Sequence, residues 1–127
     1  KKIAVEKDLK IVSACFQTKC ADIVVNCNPL NFPRLVADAE MVVTSTFHGS
    51  LFSVMFNKQL IVLPYAKKTT DFLRMLHLDN AIIRENCSYK DFRQSIENTI
   101  DYSIANKKIK SLQQKSRRIL KDFLENI

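Results

Sequence analysis

The stretch that decides the fold spans residues 41–56 and reads MVVTSTFHGSLFSVMF. Its first four residues form an apolar run of strand length, and residues 50–56 are apolar almost all round, which is typical of a buried helix. A second strand-length run, residues 60–63, follows and is stopped by Pro64. A strand, a buried helix and a second strand in this order predict a parallel pair of strands joined by a crossover helix.

The same alternation continues on both sides of this stretch. Apolar runs predict further strands over residues 9–14, 23–25 and 81–83, and periodicity predicts helices over residues 30–39, 71–76 and 89–104. Pro33 is expected in the first turn of its helix, and Thr70 and Ser88 are candidate N-caps. Near-continuous apolar strands are typical of a parallel sheet buried on both faces. The sequence therefore predicts an α/β fold with a Rossmann-like parallel sheet and helices on both faces.

Length and composition bound the class of protein. The chain has 127 residues, of which 46% are hydrophobic, so we expect a single domain over residues 1–127. It does not begin with Met, and its first seven residues resemble the end of a helix, which suggests a piece of a longer protein. No apolar run reaches the length of a membrane span. The cysteines, at positions 15, 20, 27 and 87, show no metal-binding or redox spacing, so we expect reduced thiols, no metal and a cytoplasmic location.

Positive charge is concentrated at the C-terminal end. The formal net charge is +7, and residues 105–127 carry seven basic and two acidic side chains. Apolar or small residues recur there at spacings of three and four, which predicts a basic amphipathic helix over residues 106–127: Ile109, Leu112, Ser116, Ile119, Phe123 and Ile127. Such a helix can bind nucleic acid or an anionic membrane surface, or it can be a solvated face. We expect a packing element with its apolar face buried, and neither a nucleic-acid partner nor a membrane span.

The turn between the first strand and its helix contains Ser45, Thr46, His48, Gly49 and Ser50, and Gly49 is the only glycine of the chain. Ligands of open parallel sheets bind outside the carboxyl ends of the strands, and free amides at a helix start attract anions. Hydroxyl groups can donate hydrogen bonds, and His48 can carry charge or move a proton. The alternative is a capped helix with a tight turn and a packed histidine. The dinucleotide fingerprint is absent, so no cofactor is expected.

Residues 37–53, followed by residues 57–64, resemble the C-terminal half of the polysaccharide pyruvyl transferase family. Members of that family typically show an acidic residue before an apolar strand, a hydroxyl-rich turn ending in Phe-His-Gly or Leu-His-Gly, a buried helix, and a second strand closed by Pro. The resemblance covers roughly residues 8–85, and its most specific part is the turn with its two flanking strands.

The resemblance implies one half of a GT-B-like enzyme with two Rossmann-like domains. The activity would be transfer of a pyruvyl group from phosphoenolpyruvate, or from another anionic donor, to a sugar of a cell-surface polysaccharide. The sugar acceptor would bind through an N-terminal half, without which this chain would be inactive. His48 matches the histidine of the family, and Gly49 and Ser50 match its anion-facing turn. Some members carry Arg where this chain has Thr46.

Residues that follow the strand over 60–63 are expected at the same edge of the sheet. Tyr65, Lys67 and Lys68 come directly after it, and either lysine could supply the cation that Thr46 does not. We therefore predict His48 as the catalytic residue, and six residues as substrate-binding: Ser45, Thr46, Gly49, Ser50, Tyr65 and Lys67. His77 is expected to lie at a helix end.

Two other functions fit the same features. A GT-B half can instead bind a sugar nucleotide as a glycosyltransferase, because the fold does not determine the donor. A basic tail can also belong to a non-enzymatic nucleic-acid-binding module.

Overall fold

The computed structural model describes all 127 residues and contains six α-helices, one 3₁₀-helix and four β-strands. In chain order the elements are α1 Lys2–Glu6, β1 Val12–Ala14, β2 Ile23–Val25, α2 Phe32–Asp38, β3 Met41–Thr44, α3 Phe47–Met55, β4 Gln59–Val62, α4 Lys67–Met75, the 3₁₀-helix Asp79–Ala81, α5 Tyr89–Glu97 and α6 Ser103–Glu125. The mixed α/β class is confirmed.

The strands form two separate parallel pairs. β3 pairs with β4, from Met41 opposite Gln59 to Thr44 opposite Val62, and α3 connects them, which confirms the predicted crossover unit. β1 pairs with β2 in a sheet of its own, so the single continuous sheet is not formed. The strand predicted over residues 81–83 is reduced to one bridge between Val62 and Ile82. The preceding 3₁₀-helix takes Ala81, which leaves too few apolar residues for a strand.

The core lies on both sides of β4. Leu60 and Val62 belong to a cluster of ten buried residues with side chains from α3, α4 and the start of α6. Ile61 faces the other way, into a cluster of four with Ile3, Ile83 and Ile96. β4 is therefore covered on both faces, as its continuous apolar sequence predicts. Residues 9–40 contribute no side chain to either cluster, and Val12, Ile23 and Val24 are each more than 40% exposed.

Two predicted helix ends are confirmed and one is wrong. Pro33 lies in the first turn of α2, and Ser88 caps α5 in a capping box: its hydroxyl accepts from the Asp91 amide at 3.1 Å, and the Asp91 carboxylate accepts from the Ser88 amide at 3.1 Å. The Ser88 hydroxyl also donates to the Asp91 carboxylate at 2.7 Å, and this bond, together with the one from the Ser88 amide, lowers the pKa of Asp91. Thr70 does not cap α4, which begins earlier, at Lys67. His77 follows the end of α4 with a φ of 59°, a left-handed conformation common after helix ends.

The long helix α6 departs from its expected role. Ala105 is fully buried and Ile109 packs against the larger cluster, but from Lys110 onward every residue is exposed. Leu112 is 41% exposed and Phe123 is 65% exposed, so the predicted burial of the apolar face is wrong beyond the first two turns. The exposure of every residue beyond Ile109 leaves that face of the helix uncovered. No helix has both the length and the apolar character needed to cross a bilayer.

Candidate functional site

The carboxyl ends of β3 and β4 lie next to each other and continue their pairing beyond the strands. The Leu63 amide donates to the Thr44 carbonyl at 3.0 Å, and the Tyr65 amide donates to the Ser45 carbonyl at 3.4 Å. This backbone contact brings Ser45 and Tyr65 to one edge of the sheet, where ligands of open parallel sheets bind.

Helix α3 begins at this edge, three residues earlier than its sequence predicts. Thr46 is the N-cap: its hydroxyl oxygen accepts from the Gly49 amide at 3.1 Å, and its carbonyl accepts from the Ser50 amide at 3.1 Å and from the Ser50 hydroxyl at 2.9 Å. Ser50 is fully buried. The amides of Gly49 and Ser50 are therefore used inside the helix. The amides of Phe47 and His48, which precede them, are the ones that helix geometry leaves without an intrahelical acceptor.

Gly49 is explained by packing. Its φ is not positive, so no tight turn requires a glycine here. A Cβ atom at this position would lie 2.3 Å from the Thr44 hydroxyl oxygen and 2.9 Å from the Thr44 Cβ. The absence of a side chain allows the last residue of β3 to approach the first turn of α3 closely.

A cleft of about 300 Å³ opens at this edge. Its lining residues come from the first turn of α3 and from the segment after β4: Ser45, Thr46, Phe47, Tyr65, Ala66, Lys68 and Thr69. The Lys68 ammonium lies 4.1 Å from the centre of the Phe47 ring, a cation–π contact. The Phe47 ring packs edge-on against Phe72, with centroids 5.3 Å apart. The cleft therefore combines two exposed hydroxyl residues, an exposed phenol and one positive charge on a fixed aromatic ring.

The two neighbouring lysines have different surroundings. Lys68 lines the cleft, whereas Lys67 does not and instead forms an exposed ion pair with Asp71 at 3.9 Å. The structure thus places Lys68, rather than the predicted Lys67, where it could offset the absence of an arginine at Thr46.

His48 lies on the first turn of α3 beside the cleft. Its ring meets the Phe47 ring edge-on, with centroids 5.8 Å apart, and the residue is exposed. The alternative of a histidine packed in the core is therefore not observed. An exposed imidazole at this edge is accessible to a ligand and can exchange protons with it.

The displaced pKa values belong to residues outside the cleft lining. A hydrogen bond from Lys1 and another from the Ile11 amide lower the pKa of Asp22. Burial and the nearby Cys15 raise the pKa of the Cys27 thiol. The backbone amide of Cys27 donates to the Cys15 sulfur at 3.2 Å. All four cysteines are free thiols.

A larger and shallower concavity of about 670 Å³ follows the Val62–Ile82 bridge and contains none of the predicted site residues. It is lined by Ile82, Ile83, Arg84, Glu85, Asn86, Cys87, Asp91 and Ser95. The carboxylate of Asp91 is already bound to Ser88 in the capping box, and the Ser95 hydroxyl donates to the Asp91 carbonyl at 3.0 Å. Asp91 and Ser95 thus bond within α5 and its cap, and the smaller cleft, which contains the predicted Ser45, Thr46 and Tyr65, is the better candidate site.

Comparison of the chain with family models, with curated proteins and with solved structures finds no match.

Four cleft residues are not in the predicted set: Phe47, Ala66, Lys68 and Thr69. Phe47 could have been identified as a cleft residue from its position in the sequence, directly before His48 and next to the polar residues of the turn. The choice between Lys67 and Lys68 depends on where α4 begins, which local sequence did not indicate.

Proposed function

We propose that this chain is the donor-binding half of a transferase that moves a pyruvyl group from phosphoenolpyruvate to a sugar of a cell-surface polysaccharide. The proposal includes a Rossmann-like half of a GT-B-like enzyme, in which β3, α3 and β4 form the donor edge. The observation that carries it is the convergence of Ser45, Thr46 and the Lys68 ammonium in one cleft, beside an exposed histidine. The resemblance of residues 37–64 to pyruvyl transferases supports the same assignment.

The cleft chemistry suits a small donor that carries two anionic groups, a carboxylate and a phosphate. The Lys68 ammonium would attract the carboxylate or phosphate, and the Ser45 and Thr46 hydroxyls would donate hydrogen bonds to it. Because the amides of Gly49 and Ser50 are occupied, backbone donation would come from Phe47 and His48 at the open end of the helix. The positive end of α3 would add to the attraction.

His48 would transfer protons. Pyruvyl transfer requires protonation of the enol methylene of the donor, and an exposed imidazole next to the anion site is suited to this role. In an enzyme that also contains an acceptor half, His48→Asn should leave folding intact and lower turnover by about 10²–10⁴-fold. Unchanged turnover would remove His48 from the mechanism.

The two lysines supply a matched pair of variants for a binding test. Phosphoenolpyruvate is titrated into the chain while the His48 ring and the Phe47 and His48 amides are followed by NMR. Lys68→Ala should weaken binding by about 10-fold or more, as expected for loss of one charged contact, and Lys67→Ala should change it little. Equal effects of the two variants, or no shift at these groups, would contradict the site.

The same titration separates the donor classes. Tighter binding of a nucleoside diphosphate sugar than of phosphoenolpyruvate would favour the glycosyltransferase alternative. Binding of oligonucleotides through residues 107–121, with a steep dependence on salt and no response in the cleft, would favour the nucleic-acid-binding module.

A further inference from the structure

The β1–β2 sheet ends in two cysteines. Cys15 directly follows the last residue of β1, and Cys27 lies two residues after the last residue of β2. The register sets Ala14 opposite Val25, and the Cys15 amide continues the pairing by donating to the Val25 carbonyl at 2.8 Å. The cysteines are 12 positions apart in the sequence, which is not the spacing of a redox motif. The pairing of the two strands is what brings them together.

Both sulfur atoms lie between the two strand ends. The Cys27 amide donates to the Cys15 sulfur at 3.2 Å, and the Cys15 thiol donates to the Cys27 carbonyl at 3.4 Å. The Cys27 thiol donates at 3.6 Å to the Val25 carbonyl, the same oxygen that accepts from the Cys15 amide. Neighbouring strands are about 4.8 Å apart, within the span of about 4.4–6.8 Å over which a disulfide joins two Cα atoms. A disulfide between the two residues therefore fits the spacing of the strands.

The backbone of Cys15 is unusual. Its φ is 68°, in the left-handed region that residues other than glycine seldom adopt. The other residues with a positive φ are Asp8, Asn57 and His77, whose residue types tolerate this conformation best. Cys15 is exposed, so no core contact of its side chain accounts for the conformation. Backbone strain of this kind is concentrated at functional sites, and here it coincides with the placing of the Cys15 sulfur on the backbone of Cys27.

We propose that Cys15 and Cys27 form a dithiol site that reacts with a small-molecule disulfide, such as glutathione disulfide, and closes to an intrachain disulfide. Cys15 is exposed and Cys27 is half-buried, so Cys15 reacts first. Burial and the neighbouring Cys15 raise the pKa of the Cys27 thiol, which keeps this thiol protonated during the first step. Once Cys15 is in a mixed disulfide it carries no charge, so one cause of the raised pKa disappears and Cys27 becomes the second nucleophile.

The atoms and electrons balance in two steps. The Cys15 thiolate attacks one sulfur of glutathione disulfide, whose S–S bond breaks, so that a mixed disulfide forms and one glutathione thiolate leaves. The Cys27 thiol then loses its proton to water and attacks the Cys15 sulfur, which releases the second glutathione thiolate. Two protein thiols are oxidised, one glutathione disulfide is reduced to two thiols, and the protons lost by the cysteines end on glutathione. Because the site is exposed, an excess of glutathione reverses the reaction.

The pairing is mapped on the full chain. The protein is incubated with an equimolar amount of glutathione disulfide, and the remaining thiols are then alkylated. Trypsin cuts after Lys19 and endoproteinase Asp-N cuts before Asp22, which puts Cys15, Cys20 and Cys27 on separate peptides. Mass spectrometry should find the peptides of Cys15 and Cys27 joined, with a loss of two hydrogen atoms, and alkyl groups on the other two cysteines. Excess glutathione should return all four cysteines to the alkylated form.

Three serine variants test the order of the steps. Cys27→Ser should stop at the mixed disulfide, with one glutathione on Cys15, and Cys15→Ser should form no intrachain disulfide. Cys20→Ser is the matched control, because Cys20 is also exposed and its sulfur contacts Thr18 rather than either strand end, so this variant should close the disulfide as fast as the unsubstituted chain. Circular dichroism confirms that each variant stays folded.

Four results would overturn the proposal. These are a cross-link that includes Cys20, a disulfide between two chains, alkyl groups on all four cysteines after oxidation, and a disulfide that excess glutathione does not reduce.

Discussion

Replacement of Gly49 by alanine tests whether this glycine is required by packing. In an ordinary helix position the change would stabilise the protein by about 1 kcal/mol, because alanine is the better helix former. Here the new Cβ would lie 2.3 Å from the Thr44 hydroxyl oxygen and 2.9 Å from the Thr44 Cβ. Rotation of the Thr44 side chain can remove the first contact but not the second, which requires movement of β3 or α3.

The magnitude follows from three contributions. Overpacking of this kind costs about 1–3 kcal/mol. Rotation of the Thr44 hydroxyl also breaks the hydrogen bond that it accepts from the Thr46 amide at 3.1 Å, at a cost of about 1 kcal/mol. After the helix-propensity gain of about 1 kcal/mol is subtracted, we expect Gly49→Ala to lower the free energy of unfolding by about 2 kcal/mol.

Urea denaturation followed by circular dichroism measures this change. The double variant Thr44→Ala/Gly49→Ala is the control for the cause, because loss of the hydroxyl removes the closest contact. Gly49→Ala should cost less in that background than in the natural sequence. A Gly49→Ala protein that is as stable as the original, or more stable, would refute the packing explanation and leave ligand approach as the reason for the glycine.

Two further predictions concern polar groups that support the core. Burial raises the pKa of Tyr102, whose hydroxyl donates to the Lys58 carbonyl at 2.6 Å. The stabilising effect of this tyrosine is therefore complete below about pH 10 and is lost as the pH rises and the unfolded chain ionises. Tyr102→Phe should flatten the fall in melting temperature above about pH 10, and Tyr65→Phe should not. Ser88→Ala should lower the free energy of unfolding by about 1 kcal/mol, because it removes the cap of α5. The lowered pKa of Asp91 contributes stability that is lost as the pH falls through that pKa, so the variant should also lose less stability on acidification. Urea titrations at several pH values would detect both effects.

The β3–α3–β4 unit could be predicted from the sequence because its signals are local and strong. Continuous apolar runs define the strands, and Pro64 marks the end of the second one. The sequence does not define the start of α3, because Ser45, Thr46 and Ser50 are all residue types that act as N-caps, and the structure uses Thr46, whose hydroxyl accepts from the Gly49 amide. The position of a cleft at the strand ends was predictable, since topology determines it.

Other features depend on contacts that local patterns do not contain. Lys67 and Lys68 are adjacent in sequence but differ by about 100° around α4, so the start of that helix decides which one reaches the cleft. Periodicity predicted the α6 helix and its apolar face correctly, but it could not show that the body of the protein ends near Ile109. The division of the strands into two sheets likewise depends on long-range packing, which the residues of an individual strand do not specify.

The isolation of the β1–β2 pair has a consequence for the motions of the protein. Residues 9–40 bury no side chain in either core cluster, so opening of this pair breaks its backbone hydrogen bonds but exposes little additional apolar surface. Amide protons of Ile23–Val25 should therefore exchange with solvent far faster than those of Gln59–Val62. We therefore expect two units of unequal cooperativity, with the cleft in the unit that stays closed while the other opens.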